Sequence, residues 1–347
     1  MTNTNKKVLV TGGTGYIGSH TVVELINAGY ETVIADNLSN SERFILDRIE
    51  QIAGVRPKFY EIDLCDKAKV EDLFNAESDI KAVIHFAAFK AVGESVKEPL
   101  KYFRNNNLSL INLLEVMNEK GVNNIVFSSS ATVYGQPDVL PATEATPFQK
   151  ALSAYGSTKQ MGEEILEKVS SATIIKSIAL RYFNPVGAHK SALIGELPVG
   201  VPNNLMPFVT QTGIGKREML TIFGDDYSTP DGTCIRDYIH VVDLAKAHVK
   251  ACERLIAEKA ESNYEVFNLG TGKGTSVLEI VNAFEKVTGQ KLNYKIGPRR
   301  EGDVESLYAE TKLANEKLGW KAELGLEEML SSAWAWEVKL HEGTVEV

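Results

Sequence analysis

Tyr155 and Lys159 stand four residues apart at the start of a stretch with helical periodicity, so both side chains project from one face and can meet one ligand. Together they describe a proton acceptor. A tyrosine takes a proton near neutral pH only where its phenolate is stabilised, and an adjacent ammonium together with a positively charged nicotinamide would do that. Lys159 could also hold the nicotinamide ribose. Ser130 closes the run Ser128-Ser129-Ser130 at the end of an expected strand and is the natural third member, sharing a proton with a substrate hydroxyl. The spacing alone does not decide, because Tyr308 and Lys312 repeat it near the C-terminus. Position separates the pairs. Tyr155 follows a serine at the C-terminal edge of a sheet, where ligands bind in open α/β folds, whereas Tyr308 lies outside the expected sheet and reads as a packed or surface aromatic.

A nicotinamide implies a dinucleotide site, and the N-terminal segment has its features. Val8-Leu9-Val10-Thr11 runs into Gly12-Gly13-Thr14-Gly15-Tyr16-Ile17-Gly18 and then into a helical pattern reaching about Ala28. Glycines allow the tight turn and let backbone amides approach a pyrophosphate seated at the positive end of the helix. The spacing is GxxGxxG, wider than GxGxxG. The second strand ends at Asp36, eighteen residues beyond Gly18, where a carboxylate accepts hydrogen bonds from ribose hydroxyls and repels a 2′-phosphate. This favours NAD over NADP, with Arg43 the one nearby residue that would suit the phosphate.

These residues need a scaffold to hold them. The first half alternates short β-branched apolar runs with longer helical patterns, as βαβ units around a parallel sheet do. Strands are predicted at 7–10, 32–35, 58–62, 82–86, 124–127 and near 177–180, with helices notably at 100–119 and 154–169. This is a doubly wound α/β sheet of the NAD-binding Rossmann type. After Arg181 the alternation stops. The segment to Arg236 is rich in Gly, Pro and Asn, with loops expected at 195–204 and 224–232, as a binding region built from loops would be. A helix at 242–259 and a strand at 265–269 return to the sheet. The expected division is therefore interleaved: 1–181 plus about 237–269 for the dinucleotide, and about 182–236 plus 270–347 as a smaller C-terminal α/β substrate domain.

With 347 residues, 44% hydrophobic and 24% charged, the chain has ordinary globular composition. A formal charge of −9 argues against broad binding to nucleic acid or anionic membrane, both of which need a basic face. The polar residues 1–7 lead straight into an apolar strand, and no apolar run approaches membrane-spanning length, so the expected address is cytoplasmic. Three cysteines (Cys65, Cys234, Cys252) without a CxxC pair fit reduced, packed thiols. The six histidines form no HExxH and no close carboxylate cluster, so no metal is expected. Neither residues 213–216 nor 270–274 complete GxxxxGK[ST], which removes support for ATP chemistry.

The glycine turn, Ser130 and the Tyr155–Lys159 pair resemble the extended short-chain dehydrogenase/reductase family. Within it, residues 15–20, 36–38, 85–95, 128–135, 181–189, 202–207, 236–241 and 298–303 are similar to UDP-glucose 4-epimerases, with 90–95 and 181–189 specific to that branch. The resemblance implies that NAD stays tightly bound. Tyr155 takes the proton of the sugar 4′-hydroxyl while the C4 hydride passes to the nicotinamide. The 4-keto sugar then turns in the site, and hydride returns to its other face, interconverting UDP-glucose and UDP-galactose. It further implies Asp63 and Leu64 on the adenine side, and Phe86, Ala87, Lys90 and Asn105 in the cofactor pocket, beside Gly12, Gly15, Tyr16, Ile17, Gly18, Asp36, Asn37 and Phe183. Lys90 is also implied near the pyrophosphate side of NAD and the substrate.

Around UDP the resemblance implies Asn184, Asn204, Leu205, Phe223, Arg236, Arg300 and Asp303. Both guanidinium groups suit a pyrophosphate, which they bind with paired hydrogen bonds. The family's variable position after Asp303, which admits or excludes an N-acetyl group, holds Leu307. Leucine is neither large nor small, so unmodified hexoses are expected as main substrates and N-acetylhexosamines stay open. A homodimer is implied in which 100–119 and the Tyr155 helix pair with their counterparts, although one-sided apolar faces are equally needed for packing on the sheet. Three rivals are weaker, among them a UDP-sugar decarboxylase, which the epimerase-like segments disfavour. A nucleotide-sugar 4,6-dehydratase needs an acid after the serine, where Ala131-Thr132 stand. A non-catalytic NAD sensor would be expected to lack part of the Tyr–Lys pair.

Overall fold

In the computed structural model, residues 6–300 and 303–343 are described. Residues 1–5 of the polar N-terminus, 301–302 of the 298–303 segment, and the final 344–347 lie outside the described residues. The strands are β1 Lys7–Thr11, β2 Glu31–Asp36, β3 Lys58–Glu61, β4 Ile80–His85, β5 Asn124–Ser128, β6 Lys176–Tyr182, β7 Asn184–Val186, β8 Leu220–Phe223, β9 Ile235–His240, β10 Tyr264–Leu269, β11 Gly274–Ser276, β12 Tyr294–Gly297 and β13 Ser306–Leu307. The α-helices are α1 Tyr16–Asn27, α2 Ile45–Ala53, α3 Lys67–Ala76, α4 Val92–Lys97, α5 Pro99–Tyr102, α6 Leu108–Glu119, α7 Ala154–Ala172, α8 Leu205–Gly213, α9 Val241–Ile256, α10 Val277–Thr288 and α11 Leu326–His341.

Seven strands form one parallel sheet in the order β10-β6-β5-β4-β1-β2-β3, the Rossmann order extended by one strand at the β6 edge. Its strands are apolar because both faces are covered. Val8 and Val10 pack into the core on one face with α1 and α9, while Leu9 points into the core on the other with α3 and α6. All six strands expected in the first half are present, and the order reverses between β1 and β4, which opens a crevice at their C-terminal ends.

The second region is less loop-like than its composition implied. Between Tyr182 and Arg236 the chain forms β7, α8, β8 and the start of β9, although residues 195–204 and 224–232 lack regular helix or strand. A separate core gathers Val209, Ile222, Ile280, Phe284 and Leu330 from α8, β8, α10 and α11. The return to the large sheet starts later than 237. Strand β9 pairs with β7, β11 and β13, and the buried Asp237 carboxylate binds the backbone amides of Thr271 at 2.8 Å, Gly272 at 3.0 Å and Ala309 at 3.2 Å. Residues 237–240 are thereby tied to the second sheet, and α9 and β10 make the return.

The helix expected at 100–119 is interrupted. A π-turn at Phe103–Asn107 separates α5 from α6 and turns Asn105 into the cleft, while Asn106 donates to Thr158 Oγ1 at 3.1 Å on α7. Such insertions re-aim side chains without ending a helix.

Candidate active site

Two glycines of the first turn are required by close approach. Gly12 has φ +69°, and a Cβ there would lie 2.8 Å from the Ala87 amide nitrogen; at Gly18 a Cβ would lie 2.1 Å from the Gly12 carbonyl oxygen. Strand end, turn and helix therefore touch backbone to backbone. Gly15 stands at the N-cap of helix α1 and provides no side-chain cap, so the helix N-terminus is shaped to receive an anion. Asp36, at the end of β2, accepts the Thr14 amide at 3.2 Å, the Leu38 amide at 3.0 Å and the Ser41 hydroxyl at 3.3 Å. These bonds tie β2 to the glycine turn and hold the carboxylate at the crevice. Arg43 is turned aside, paired with Glu61 and lying 5.1 Å over the Phe59 ring. The one feature that would have suited a 2′-phosphate is thus engaged elsewhere.

A cleft of about 310 Å³ runs from this turn to Tyr155. It brings together Gly12, Gly15, Tyr16, Ile17, Gly18, Asp36, Asn37, Asp63, Leu64, Phe86, Ala87, Lys90, Asn105, Tyr155, Lys159 and Asn204. The chemistry of the lining suits a dinucleotide: uncapped amides for its diphosphate, a carboxylate for a ribose, and the Tyr–Lys pair at the other end. Ser130 lies beside that pair.

The reacting end is built by α7. Ser153 caps this helix, accepting the Gly156 amide at 3.1 Å, so that Tyr155 sits in the first turn and Lys159 one turn on. Lys159 Nζ donates to the Ser128 carbonyl at 2.7 Å and lies 5.8 Å from the Tyr155 ring centre. Burial pushes the Lys159 ammonium down to about 8, with Glu163 working against that shift. Burial pushes the Tyr155 phenol well above its ordinary value, Tyr182 adds to this, and a hydrogen bond with Ser130 opposes it. Lys159 is not among the groups that move the Tyr155 phenol most; burial is the largest influence on it. In the protein alone desolvation wins and Tyr155 is protonated.

The other expected residues lie apart from this cleft. Arg300 pairs with Asp303 at 2.6 Å and stands 6.0 Å over the Phe223 ring, and Arg236 approaches Asp303 at 3.6 Å. Asn184 opens β7 and Leu205 opens α8. Phe183 and Leu307 are buried in one small cluster with Ala131, next to Ser130. Asn204 links the regions, donating to Glu196 at 2.5 Å, and Glu196 in turn stands 3.5 Å from Lys90. Sequence reading missed Glu196, since nothing in a loop sequence tells which partners its carboxylate will meet. It also missed Tyr182, whose hydroxyl bonds Ser128 Oγ at 2.8 Å. Tyr308, kept apart by position, does not line the cleft.

The family model described as GDP-mannose 4,6 dehydratase matches residues 9–333. The UDP-glucose 4-epimerase of Bacillus subtilis (strain 168) is 54% identical over 331 residues, spanning 95% of this chain and 96% of the relative. The chain belongs to the UDP-glucose 4-epimerase family. Among solved epimerase structures, that from Stenotrophomonas maltophila with bound NAD and formylated UDP-arabinopyranose superposes with a TM-score of 0.94 at 46% identity, covering 97% of this chain and 99% of that one. The Bifidobacterium longum epimerase in complex with NAD+ and UDP gives 0.93 at 48% identity over 97% and 100%. After Ser130 stand Ala131 and Thr132, and the Thr132 amide donates to Ser130 Oγ at 3.2 Å. Among the described residues of this epimerase-family chain, no group of three or more His, Cys, Asp and Glu stands together as a metal site, and no helix is long and apolar enough to cross a membrane.

Proposed function

We propose that this chain interconverts UDP-galactose and UDP-glucose with a retained NAD, as an NAD-dependent isomerase of galactose metabolism. One observation carries the reading. The cleft that begins at an uncapped helix N-terminus and Asp36 ends at Tyr155 and Lys159 on one buried helix face, in a chain half identical to UDP-glucose 4-epimerases along nearly its whole length. NAD would be held by the glycine turn, Asp36 and Asn37, by Asp63 and Leu64 around the adenine, and by Lys159 at the nicotinamide ribose. When bound it supplies a hydride acceptor and donor at the sugar C4, so inversion needs no net oxidant.

The chain's own residues do the rest. Tyr155 accepts the 4′-hydroxyl proton and gives it back on the other face, with Ser130 sharing it. Lys159 adds positive charge beside the phenol. Arg236, Arg300 and Asp303, with Asn184, Asn204, Leu205 and Phe223, grip the UDP. A firm hold on the nucleotide leaves the sugar free to turn. With Leu307, neither large nor small, at the position that admits or excludes an N-acetyl group, unmodified hexoses are the main substrates and UDP-N-acetylhexosamines side substrates; equal activity on UDP-glucose and UDP-N-acetylglucosamine would overturn that preference.

We further propose a cytoplasmic homodimer. In support, Leu100, Leu108 and Ile111 and, on α7, Met161 are exposed apolar side chains, 80%, 37%, 39% and 42% accessible, more than a solvated helix face needs. In the same reading, the large-sheet lobe serves NAD and the second lobe serves UDP-sugar.

The decisive experiment is conversion of UDP-galactose by purified protein without added NAD, with Tyr155→Phe and Lys159→Ala alongside. Turnover by wild type with large losses in both variants is the expected result. A wild type inactive even with added NAD overturns the reading and leaves a nucleotide-binding protein.

A further inference from the structure

One turn beyond Lys159, the same buried face of α7 carries Glu163, and its partners converge from three strands. The carboxylate is 2% exposed. It accepts the Ser129 hydroxyl on the segment leaving β5, the Tyr264 hydroxyl of β10 at 2.9 Å, and the Arg181 guanidinium of β6 through Nε at 3.0 and 3.1 Å and Nη2 at 2.7 Å. Arg181 is itself held by Tyr134, whose hydroxyl accepts from Nη1 at 3.0 Å, and by the Glu144 carbonyl at 3.0 Å. Ser129, Glu163 and Arg181 do not line the cleft.

The register of these contacts is informative. Three consecutive residues, from the last of β5 onward, face three successive turns of α7. Ser130 meets Tyr155, the Ser128 carbonyl meets Lys159 at 2.7 Å, and Ser129 meets Glu163. A buried ion pair seldom gives the most stable packing, since apolar residues of similar volume often do as well. This pair sits where it can fix the strand end that bears the reacting serine. We propose that Glu163, clamped by Arg181, is a positioning residue for the epimerase reaction, acting through Ser129 on the placement of Ser130 and through its charge on Lys159. The proposal rests on the epimerase reading above.

The groups around Lys159 leave Glu163 as its counter-charge. Tyr155 of α7 and Tyr182 of β6 are buried phenols pushed upward, hence neutral, and His85 of β4 is pushed down to about 3 by burial and then by Lys159, hence also neutral. Arg181 is a cation already engaged by Glu163.

Two variants test this in the full-length protein with its bound cofactor. Ser129→Ala cuts the tie to β5 without uncovering a charge. It is expected to lower kcat about tenfold with KM for UDP-galactose unchanged, because small misplacements cost rate rather than binding. Glu163→Gln keeps the shape and removes the charge. In a ¹³C-lysine NMR titration, with the Lys159 signal assigned by its loss in Lys159→Met, its midpoint is expected to move to lower pH than in wild type. Wild-type kcat in folded Ser129→Ala, or an unmoved Lys159 midpoint in folded Glu163→Gln, overturns the proposal. Should Glu163→Gln not fold, the Ser129→Ala kcat decides alone. An inactive wild type would instead overturn the epimerase reading, and the titration would still decide for Glu163.

Discussion

The ammonium of Lys159 is bonded at 2.7 Å to the carbonyl of Ser128, two residues before the Ser130 hydroxyl that meets Tyr155. Helix α7 and the end of β5 thus form one unit, in which the group that charges the site is also the group that anchors its strand. Chemistry and local stability are coupled there.

Replacing Lys159 by Met separates the two. The stem packing is retained, the Ser128 carbonyl loses its donor, and the positive charge disappears. Stability should fall by roughly 1–3 kcal/mol, the cost of an unsatisfied buried acceptor. Turnover should fall by about 10²–10⁴, as loss of acid–base assistance does. Thermal melting and kcat on one preparation check both, and full activity in Lys159→Met would remove Lys159 from the mechanism.

Gly18→Ala introduces a Cβ at 2.1 Å from the Gly12 carbonyl oxygen, a backbone contact that cannot swing away. The turn must open, at a cost of about 1–3 kcal/mol in overpacking. The anion site at the start of α1 opens with it. The variant should purify without cofactor; a normal complement of bound NAD, read from its release on denaturation, would contradict the assignment of the turn.

Asp36→Ser removes a carboxylate held at the crevice by three donors while keeping a small polar group. Hydrogen bonds to a charged group contribute about 1.5–3 kcal/mol, so NAD affinity should fall by at least about tenfold. NADP affinity should rise relative to NAD. Calorimetric titration of cofactor-free protein with each dinucleotide measures the ratio, which stays unchanged if Asp36 does not face the ribose.

Acid should destabilise the fold through buried histidines. Burial lowers His20 and His85 to about 3 and His248 to about 4. Each is neutral when folded and binds a proton near pH 6.5 when unfolded, so the unfolded state takes up more protons between about pH 6.5 and 3. Stability is full above that range and falls as the pH drops through it, by up to about 1.4 kcal/mol per pH unit for each group. Urea melts at pH 7.5 and 5 check this. His248→Gln, uncharged at both, should reduce the difference.

The exposed Leu100 tests the association proposed above. Leu100→Glu should shift the protein from dimer to monomer in sedimentation, because a charge cannot be buried unpaired in an apolar interface. The same elution and sedimentation for wild type and variant would show that this face is not the contact.

Much of this was legible because it depends on local rules. The alternation of β-branched runs and helices predicts a parallel sheet, the glycine spacing predicts a turn against backbone, and Tyr155 and Lys159 share a face because a helix repeats every 3.6 residues. The π-turn at Phe103–Asn107, which aims Asn105, was not legible, since an inserted residue leaves the apolar periodicity almost intact. Strand β9 was not read from the sequence, because its partners β7, β11 and β13 are too short to announce the second sheet.

The same boundary runs through the site. Residue type and spacing determined that this chain carries a glycine turn between strand and helix, an acidic residue at the end of the second strand and a Tyr–Lys pair on one helix face, because each follows from a local rule of strand, turn or helix. Tertiary structure alone decided that burial would raise the Tyr155 phenol, that Arg43 would turn to Glu61, that Glu196 would stand between Lys90 and Asn204, and that Glu163 would meet Arg181. Desolvation and ion pairing depend on what surrounds a side chain from distant segments, and that is set only when the sheet is assembled.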